Sequence, residues 1–527
     1  MRRRLVALAL AAAATVVIAQ PSSSSRGRDG GILQVVVSPS VYDNYIDPAL
    51  SFTPAGWSFL DATCARLYTY PDASVRLQPE VAEGFKRSSD MKTYTFTLRR
   101  GFRFSNGEPV RASAFAQAIN RVLDPVVRSP GAIFMRDIVG ADDVLAGRRK
   151  TPAGVVAHGN TLVVKFTRPA PNFVARTAYP FFCAVPPGLP PSAEGLGRFP
   201  SAGPYYVTDY RSTEEMKIRR NRFYGGERKI HLDGFNVDFR GGNPVELLRT
   251  IDRGEADWGP IPGGVFAAAG LDFEAKYGRN KSRYWVRPGL TLRMLVFNSS
   301  RPLFHNNPRL RQAVNLALDR RALMAYGPGL SRAADQILPP GVPGFRNADI
   351  YPLGGNLERA QELARGQLRS GKAVFYVTDF PPLVATALLV KEQLARIGLE
   401  VEIRLHPAAS TAGYFTQLTG PGAEWDMVFL LWFPNIPDPY EYLSLLLETQ
   451  RGGEALTRVR SKLASAARLT HERARNRAYA EVDAMIARDV APVAVLSVLN
   501  EATLLSERVG CPVLRPALDL AVACLRG

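Results

Sequence analysis

The stretch MVFLLWFPNIPDP, residues 427–439, is the most informative part of this 527-residue chain. Its first five residues form an apolar run that is typical of a buried β-strand, and the proline-rich turn after it indicates a stiff loop. Ligands of open α/β sheets bind at the carboxyl ends of strands, so this loop is expected to face a ligand. It offers aromatic rings and one neutral amide but no nucleophile, general base or metal-ligand cluster. The stretch therefore predicts a binding surface in an α/β protein rather than a reaction centre.

Outward from this stretch, the chain alternates between apolar runs with strand periodicity and segments with helical spacing. This alternation predicts an α/β fold, with a mainly parallel sheet in the second half of the chain. Strands are predicted at 32–37, 94–99, 160–166, 205–207, 216–219, 235–239, 291–297, 373–378, 399–405 and 493–496. Helices are predicted at 57–68, 112–123, 245–253, 310–325, 358–365, 383–397 and 471–488.

The amino terminus has the pattern of a secretory signal. Three arginines are followed by an uncharged run from Leu5 to Ala19 and then by a Ser/Gly-rich segment, so we expect residues 1–19 to be a cleaved signal peptide and 20–31 a flexible leader. The apolar run is short for a membrane span. No cysteine precedes Cys64, so the chain lacks the cysteine that a lipoprotein would acylate. The mature protein is expected to be soluble and periplasmic, or otherwise extracytoplasmic.

Four cysteines fit an exported chain. They allow three pairings, and we favour Cys511 with Cys524, which closes a short loop, leaving Cys64 with Cys183; four buried thiols are the alternative. None forms a C-x-x-C pair, so neither a zinc site nor a redox site is expected.

The formal charge of +18 admits an anionic partner such as nucleic acid. The basic residues are scattered in the sequence without a long run, which favours an ordinary solvated basic surface. We therefore expect no nucleic-acid partner.

Catalytic and cofactor motifs are incomplete. Residues 366–372 match G-x-x-x-x-G-K, but Ala373 stands where a phosphate loop needs Ser or Thr, and the loop leads into a strand. His471-Glu472 begins like a zinc-protease helix, but the second histidine is missing because Arg475 occupies its position. No cofactor, metal or catalytic residue is therefore predicted.

Several segments, in order along the chain, resemble the family 5 extracytoplasmic solute-binding proteins of ABC importers, the group of oligopeptide, dipeptide and nickel receptors. One motif alone would be weak evidence, but the ordered set spans nearly the whole mature chain. The segments are LQPEVAEGF (77–85), YTFTLRRGFRFSNGEPVRA (94–112), GPY (203–205), RNRFY (220–224), FN (297–298), RLRQA (309–313), ALDR (317–320), Trp432 and Asp438-Pro439.

This resemblance implies a two-lobed periplasmic-binding-protein fold with an extra domain inserted in lobe one. Lobe one would comprise 32–74, 202–288 and 497–527, the inserted domain 75–201, and lobe two 289–496. The lobes would close around a solute by a hinge motion and deliver it to a membrane permease complex, with the receptor acting as a monomer.

The resemblance also implies where the solute binds. The loop after the first strand, with Tyr42, Asn44 and Tyr45, commonly touches ligand in this fold, and Trp432, Phe433 and Asn435 are the other expected contacts. Peptide-binding members carry an Asp three residues after the matching Trp, where it binds the peptide's ammonium group; here that position is Asn435. An amide does not neutralise a buried cation, so a hydrophobic, capped or neutral polar solute fits at least as well as a free-amino peptide.

Three functions remain open from the sequence. The first is a transport receptor for a peptide-like or other small organic solute. The second is an exported sensor or chaperone-like binder without a dedicated permease. The third is an exported hydrolase, which would need a buried acid/base pair with shifted pKa values in the cleft.

Overall fold

Strands and helices alternate along most of the chain. In the computed structural model, the described residues are 27–38, 46–71, 76–261, 265–266, 272–324, 329–406, 418, 423–432, 436–448, 450–451, 453–514 and 518–527. Among them no helix is both long enough and apolar enough to cross a membrane.

The strands are numbered in chain order. They are β1 (Gly27–Arg28), β2 (Ile32–Val36), β3 (Tyr68–Thr69), β4 (Gln78–Pro79), β5 (Ala82–Arg87), β6 (Thr93–Leu98), β7 (Val155–His158), β8 (Thr161–Lys165), β9 (Tyr205–Arg211), β10 (Glu215–Arg220), β11 (Gly234–Asp238), β12 (Tyr284–Phe297), β13 (Ser331–Ala333), β14 (Lys372–Thr378), β15 (Glu400–His406), β16 (Met427–Trp432), β17 (Val493–Leu504), β18 (Val509–Gly510) and β19 (Cys524–Arg526).

The α-helices lie between these strands. They are Pro54–Thr63, Ala112–Leu123, Ala141–Leu145, Phe173–Arg176, Pro244–Asp252, Phe273–Tyr277, Pro308–Ala317, Leu357–Ala364, Pro381–Ala395, Pro439–Glu448, Glu454–Ala467 and Glu472–Met485. Proline and a side-chain cap begin several of them; for example, Asn243 accepts hydrogen bonds from the backbone N–H groups of Val245 and Glu246.

Three larger sheets carry most of the core. The β2 sheet has the order β2-β11-β10-β9, and the β6 sheet has the order β5-β6-β8-β7. The β16 sheet has the order β13-β17-β12-β16-β14-β15. Each sheet has its own cluster of buried apolar side chains, and the β16 sheet has one on each face.

The β16 sheet is mixed, so the prediction of a mainly parallel sheet is wrong. Only β14 with β15 and β14 with β16 pair in parallel; β12 pairs antiparallel with β16 and with β17, and β13 antiparallel with β17. The alternation of strands and helices in sequence does not reveal that β12 and β17 pair with each other, because almost two hundred residues separate them.

The long strands β12 and β17 cross from one core to another. Tyr284 and Leu504, paired at one end, pack with helix Pro244–Asp252 beside the β2 sheet. At the other end, Leu295 and Ala494 pack in a core of the β16 sheet. The register shifts between Pro288 and Leu292, where the ribbon passes between the two cores. The two strands therefore connect the two cores as a paired ribbon.

Two predicted helices end earlier than expected. The helix predicted at 57–68 is Pro54–Thr63, because Cys64 adopts an extended backbone and bonds to Cys183. The helix predicted at 310–325 is Pro308–Ala317, and Leu318 after it is extended. Arg320 then turns inward, where its guanidinium donates to the backbone oxygen and to the side-chain oxygen of Asn315. These bonds replace the next helical turn.

Both disulfides favoured from the sequence are present. Cys64 bonds to Cys183, and this bond packs beside Trp57 and Leu60. Cys511 bonds to Cys524 at the carboxyl-terminal strand pair β18-β19.

Candidate functional site

The residues that flank the loop after β16 lie in two different cores. Trp432, the last residue of β16, pairs with Leu292 in the β16 sheet. Four positions later Ile436 is only 3% exposed and belongs to the core of the β6 sheet. The chain therefore changes from one core to the other between Trp432 and Ile436. Phe433 and Asn435, predicted to contact solute, lie outside the described residues.

Trp432 is partly buried and presents a free donor. Its ring packs against the core on one face of the β16 sheet. Its indole Nε1 is buried without a hydrogen-bond partner in the described part of the chain. A buried indole N–H usually has a partner, so this donor is available to a polar group of a bound solute.

Tyr42, Asn44 and Tyr45 also lie outside the described residues, but the segment that follows them is firmly fixed. Asp47 is fully buried, and its carboxylate accepts two hydrogen bonds from the Arg121 guanidinium, of 2.9 and 2.8 Å. It also accepts from the backbone N–H groups of Ala49 and Leu196. A paired buried carboxylate of this kind anchors the end of the loop to helix Ala112–Leu123.

A buried hydrogen bond joins the two cores next to the loop. The Tyr179 hydroxyl, from a residue in the core of the β6 sheet, donates to Oε2 of Glu441 at 2.6 Å. Both side chains are buried, and Glu441 lies in helix Pro439–Glu448, which packs on the β16 sheet. Burial and, after it, the Glu441 carboxylate raise the pKa of Tyr179 well above its ordinary value, so the phenol remains a donor.

Asp438 has a local structural role. Its carboxylate accepts from the backbone N–H of Glu441 at 3.2 Å, which caps the start of helix Pro439–Glu448. Burial raises its pKa, while hydrogen bonds from that N–H and from the Asn172 side chain oppose the rise. Asp438 therefore orders the segment that leaves the loop.

Tyr179, Glu441 and Asn172 were missed by sequence reasoning. Tyr179 lies in the Pro- and Gly-rich stretch 169–204, which carries no strand or helix periodicity. Its partner is 262 positions away along the chain, so no local signal relates the two.

The ribbon of β12 and β17 also holds a carboxylic acid that forms no ion pair with any described residue. Glu501 of β17 is partly buried, and the Thr291 hydroxyl lies 3.4 Å from its Oε1. Burial raises the pKa of Glu501 to about 7. Among the described residues there is no group of three or more His, Cys, Asp or Glu side chains that could hold a metal ion. The described geometry is that of a boundary between two cores, lined by aromatic, amide, hydroxyl and carboxyl groups.

Comparisons with known proteins agree with this geometry. A family model described as bacterial extracellular solute-binding proteins, family 5 Middle, matches residues 76–454, a segment that includes the loop after β16.

The relatives are similar over much of their length. Oligopeptide-binding protein OppA of Bacillus subtilis is 25% identical over 398 residues, which cover 71% of each chain. The probable deoxycholate-binding periplasmic protein YgiS of Escherichia coli is 27% identical over 307 residues, or 56% of each chain. Among solved structures, clavulanic acid biosynthesis oligopeptide binding protein 2 matches with a TM-score of 0.82 at 21% identity, over 95% of this chain and 96% of that chain. At this identity the structural match shows the fold.

Proposed function

The chain belongs to the bacterial extracellular solute-binding proteins of family 5, and from this membership we propose that it is the receptor of an ABC importer. It captures a peptide-like or other small organic solute between two lobes and delivers the solute to a membrane permease complex. Relatives named for oligopeptides and for deoxycholate support this breadth of solute class.

The loop after β16 is the observation that carries the proposal. Trp432 packs against the core of one body and Ile436 in the core of the other, and the Tyr179–Glu441 hydrogen bond joins the same two cores. A solute in contact with this loop touches both bodies at once. The solute therefore shifts the equilibrium toward the closed arrangement, by the free energy with which it binds that arrangement more tightly than the open one.

The proposed solute contacts are Trp432, Phe433 and Asn435 in this loop, with Tyr42, Asn44 and Tyr45 after the first long strand. The division into lobe one, inserted domain and lobe two also belongs to the proposal, and the separate cores of the three larger sheets support it. The crossing of β12 and β17 supports a hinge between residues 288 and 292.

The proposal also includes that the protein acts outside the cytoplasm and binds its solute without catalysing a reaction. The family consists of extracellular binding proteins, and the signal-type amino terminus supports export. A hinge-closing receptor needs no reactive group in its cleft, which agrees with the incomplete catalytic motifs of the sequence.

Trp432→Ala tests the placement of the site. A thermal-shift screen of short peptides and small organic acids and amides identifies binders of the unmodified protein, and calorimetry then measures each affinity. Trp432→Ala should abolish binding and leave the fold intact. Trp425→Ala is the matched control, because Trp425 precedes the opposite end of β16, roughly 20 Å away, and donates to the Leu418 carbonyl. Unchanged affinity in Trp432→Ala, or equal losses in both variants, would place the solute elsewhere.

A further inference from the structure

Seven arginines are buried among the described residues, and six of them are well satisfied. They are Arg66, Arg121, Arg176, Arg283, Arg293, Arg311 and Arg320. A buried guanidinium is costly unless carboxylates or several hydrogen-bond acceptors surround it.

Three of the seven are paired with acids. Arg66, Arg121 and Arg176 each leave Nε without a partner in the described residues, but each binds an aspartate through at least one terminal nitrogen. An unpaired Nε is thus tolerated where the charge itself is neutralised.

Three others lack an ion pair but donate to several oxygens. Arg311 donates through Nε to the Val490 carbonyl and through Nη1 to the Phe304 carbonyl. Arg320 makes three hydrogen bonds, one of them from Nε, and Arg283 makes five. Backbone dipoles stabilise these three cations.

Arg293 has neither kind of compensation. It is 8% exposed, and its one hydrogen bond within the described residues runs from Nη2 to the Leu323 carbonyl at 3.0 Å. Its Nε is buried without a partner, and no described carboxylate forms an ion pair with it. Burial lowers the pKa of its guanidinium to about 10, which still leaves a cation at neutral pH. The remaining acids of the chain, whose side chains are not described, are Asp43, Asp72 and Glu448.

A second unpaired group lies directly opposite Arg293. Ser497 of β17 pairs with Arg293, is fully buried, and has an Oγ without a hydrogen-bond partner in the described chain. Directly opposed residues of antiparallel strands project to the same face of the sheet, so these two side chains are neighbours. The register of β12 and β17 shifts on both sides of this pair. Such irregularities commonly re-aim side chains next to functional sites.

The pair lies at the end of the β16 sheet from which the loop after β16 leaves. On its other flank, Arg293 is opposed by Leu431, which is 37% exposed; these two side chains face one side of the sheet, and Trp432, the next residue, faces the other. Arg293 is also the second paired position of β12 after the register shift between Pro288 and Leu292, where the ribbon passes between the two cores. The carboxyl end of β16 thus brings Leu431, Arg293 and Ser497 together in one row across three strands.

We propose that Arg293 and Ser497 form an anion subsite that binds a carboxylate of the solute. A carboxylate accepts hydrogen bonds from a guanidinium and a hydroxyl together, and it supplies the charge that Arg293 lacks. With Asn435 in place of an ammonium-binding Asp, the favoured solute carries a carboxylate and no free amino group. This inference deepens the proposed function and rests on it.

The binding test uses two matched probe sets, N-acetylated short peptides with a free carboxyl terminus and the same peptides as carboxyl-terminal amides. The unmodified protein should prefer the free acids, and Arg293→Gln should weaken their binding by roughly 30-fold or more while hardly changing that of the amides. Arg332→Gln is the control, because it removes one exposed positive charge from the neighbouring strand β13. Equal binding of acids and amides, or equal effects of the two substitutions, would overturn the subsite while leaving a solute receptor in place.

A stability test needs no solute. In the solute-free protein, Arg293→Met removes an uncompensated buried charge, so its Tm should equal or exceed that of the unmodified protein. A Tm lower by several degrees would mean that an acid of the chain already pairs with Arg293, and would overturn the subsite. Failure of the unmodified protein to bind either probe set would instead count against the peptide-like solute of the proposed function, and the Tm comparison would then decide the subsite alone.

Discussion

Tyr179→Phe is expected to weaken closure of the two bodies without unfolding either of them. The substitution keeps the ring, which packs 4.7 Å from the Phe134 ring and 6.1 Å from the Trp57 ring, centroid to centroid. It removes only the hydroxyl that donates to Glu441 at 2.6 Å. A hydrogen bond to a charged acceptor contributes about 1.5–3 kcal/mol, and deleting the donor leaves Glu441 buried with one partner fewer. Because the bond crosses the boundary, this free energy is lost from the closed arrangement alone.

A loss of about 2 kcal/mol changes the closed-to-open equilibrium by roughly 30-fold. Small-angle X-ray scattering of the solute-free protein should therefore give a larger radius of gyration for Tyr179→Phe, and solute affinity should fall by up to the same factor. Tyr205→Phe is the control, since the Tyr205 hydroxyl is also buried but donates to the Leu232 carbonyl within the core of the β2 sheet. It should lower Tm slightly and leave closure unchanged. Equal radii of gyration and affinities for Tyr179→Phe and the unmodified protein would refute the reasoning.

Two further predictions concern Glu501 and Asn435. The pKa of Glu501 is raised from 4.5 to about 7 in the folded protein, so its contribution to stability is complete below pH 4.5 and is lost as the pH rises through 7. The free energy of unfolding, measured with urea, should therefore decrease between pH 5 and pH 8, and Glu501→Gln should make this decrease smaller by up to ~3 kcal/mol. An equal decrease in the variant and the unmodified protein would contradict this prediction. Asn435→Asp should improve the affinity for peptides with free amino termini by about tenfold or more, since a carboxylate neutralises the ammonium group. Tight binding of such peptides by the unmodified protein would show that Asn435 does not exclude them.

The sequence predicts the strands of the β16 sheet better than the way in which they pair. The apolar run before Trp432 is strand β16, and the strands predicted at 373–378 and 399–405 are β14 and β15 within a residue at each end. The strands predicted at 291–297 and 493–496 are much longer, as β12 and β17. Pro288, Asn500 and Glu501 give no strand signal, and long-range pairing between β12 and β17 holds them in the ribbon.

The same limit applies to the candidate site. Trp432 was predicted because it ends a recognisable apolar run, and the structure places it at the boundary between two cores. Tyr179 and Arg293 were not predicted, because their importance depends on a partner, or on the lack of one, that only the folded chain determines. Five of the six expected solute contacts lie outside the described residues and stay predictions.

Native mass spectrometry of the protein purified from its own extracytoplasmic compartment tests the central claim most directly. If the chain captures a solute at the loop after β16, the native mass should exceed the denatured mass by one small molecule, and Trp432→Ala should lose this excess. Equal native and denatured masses of the unmodified protein, or an excess retained in Trp432→Ala, would contradict solute capture at this loop.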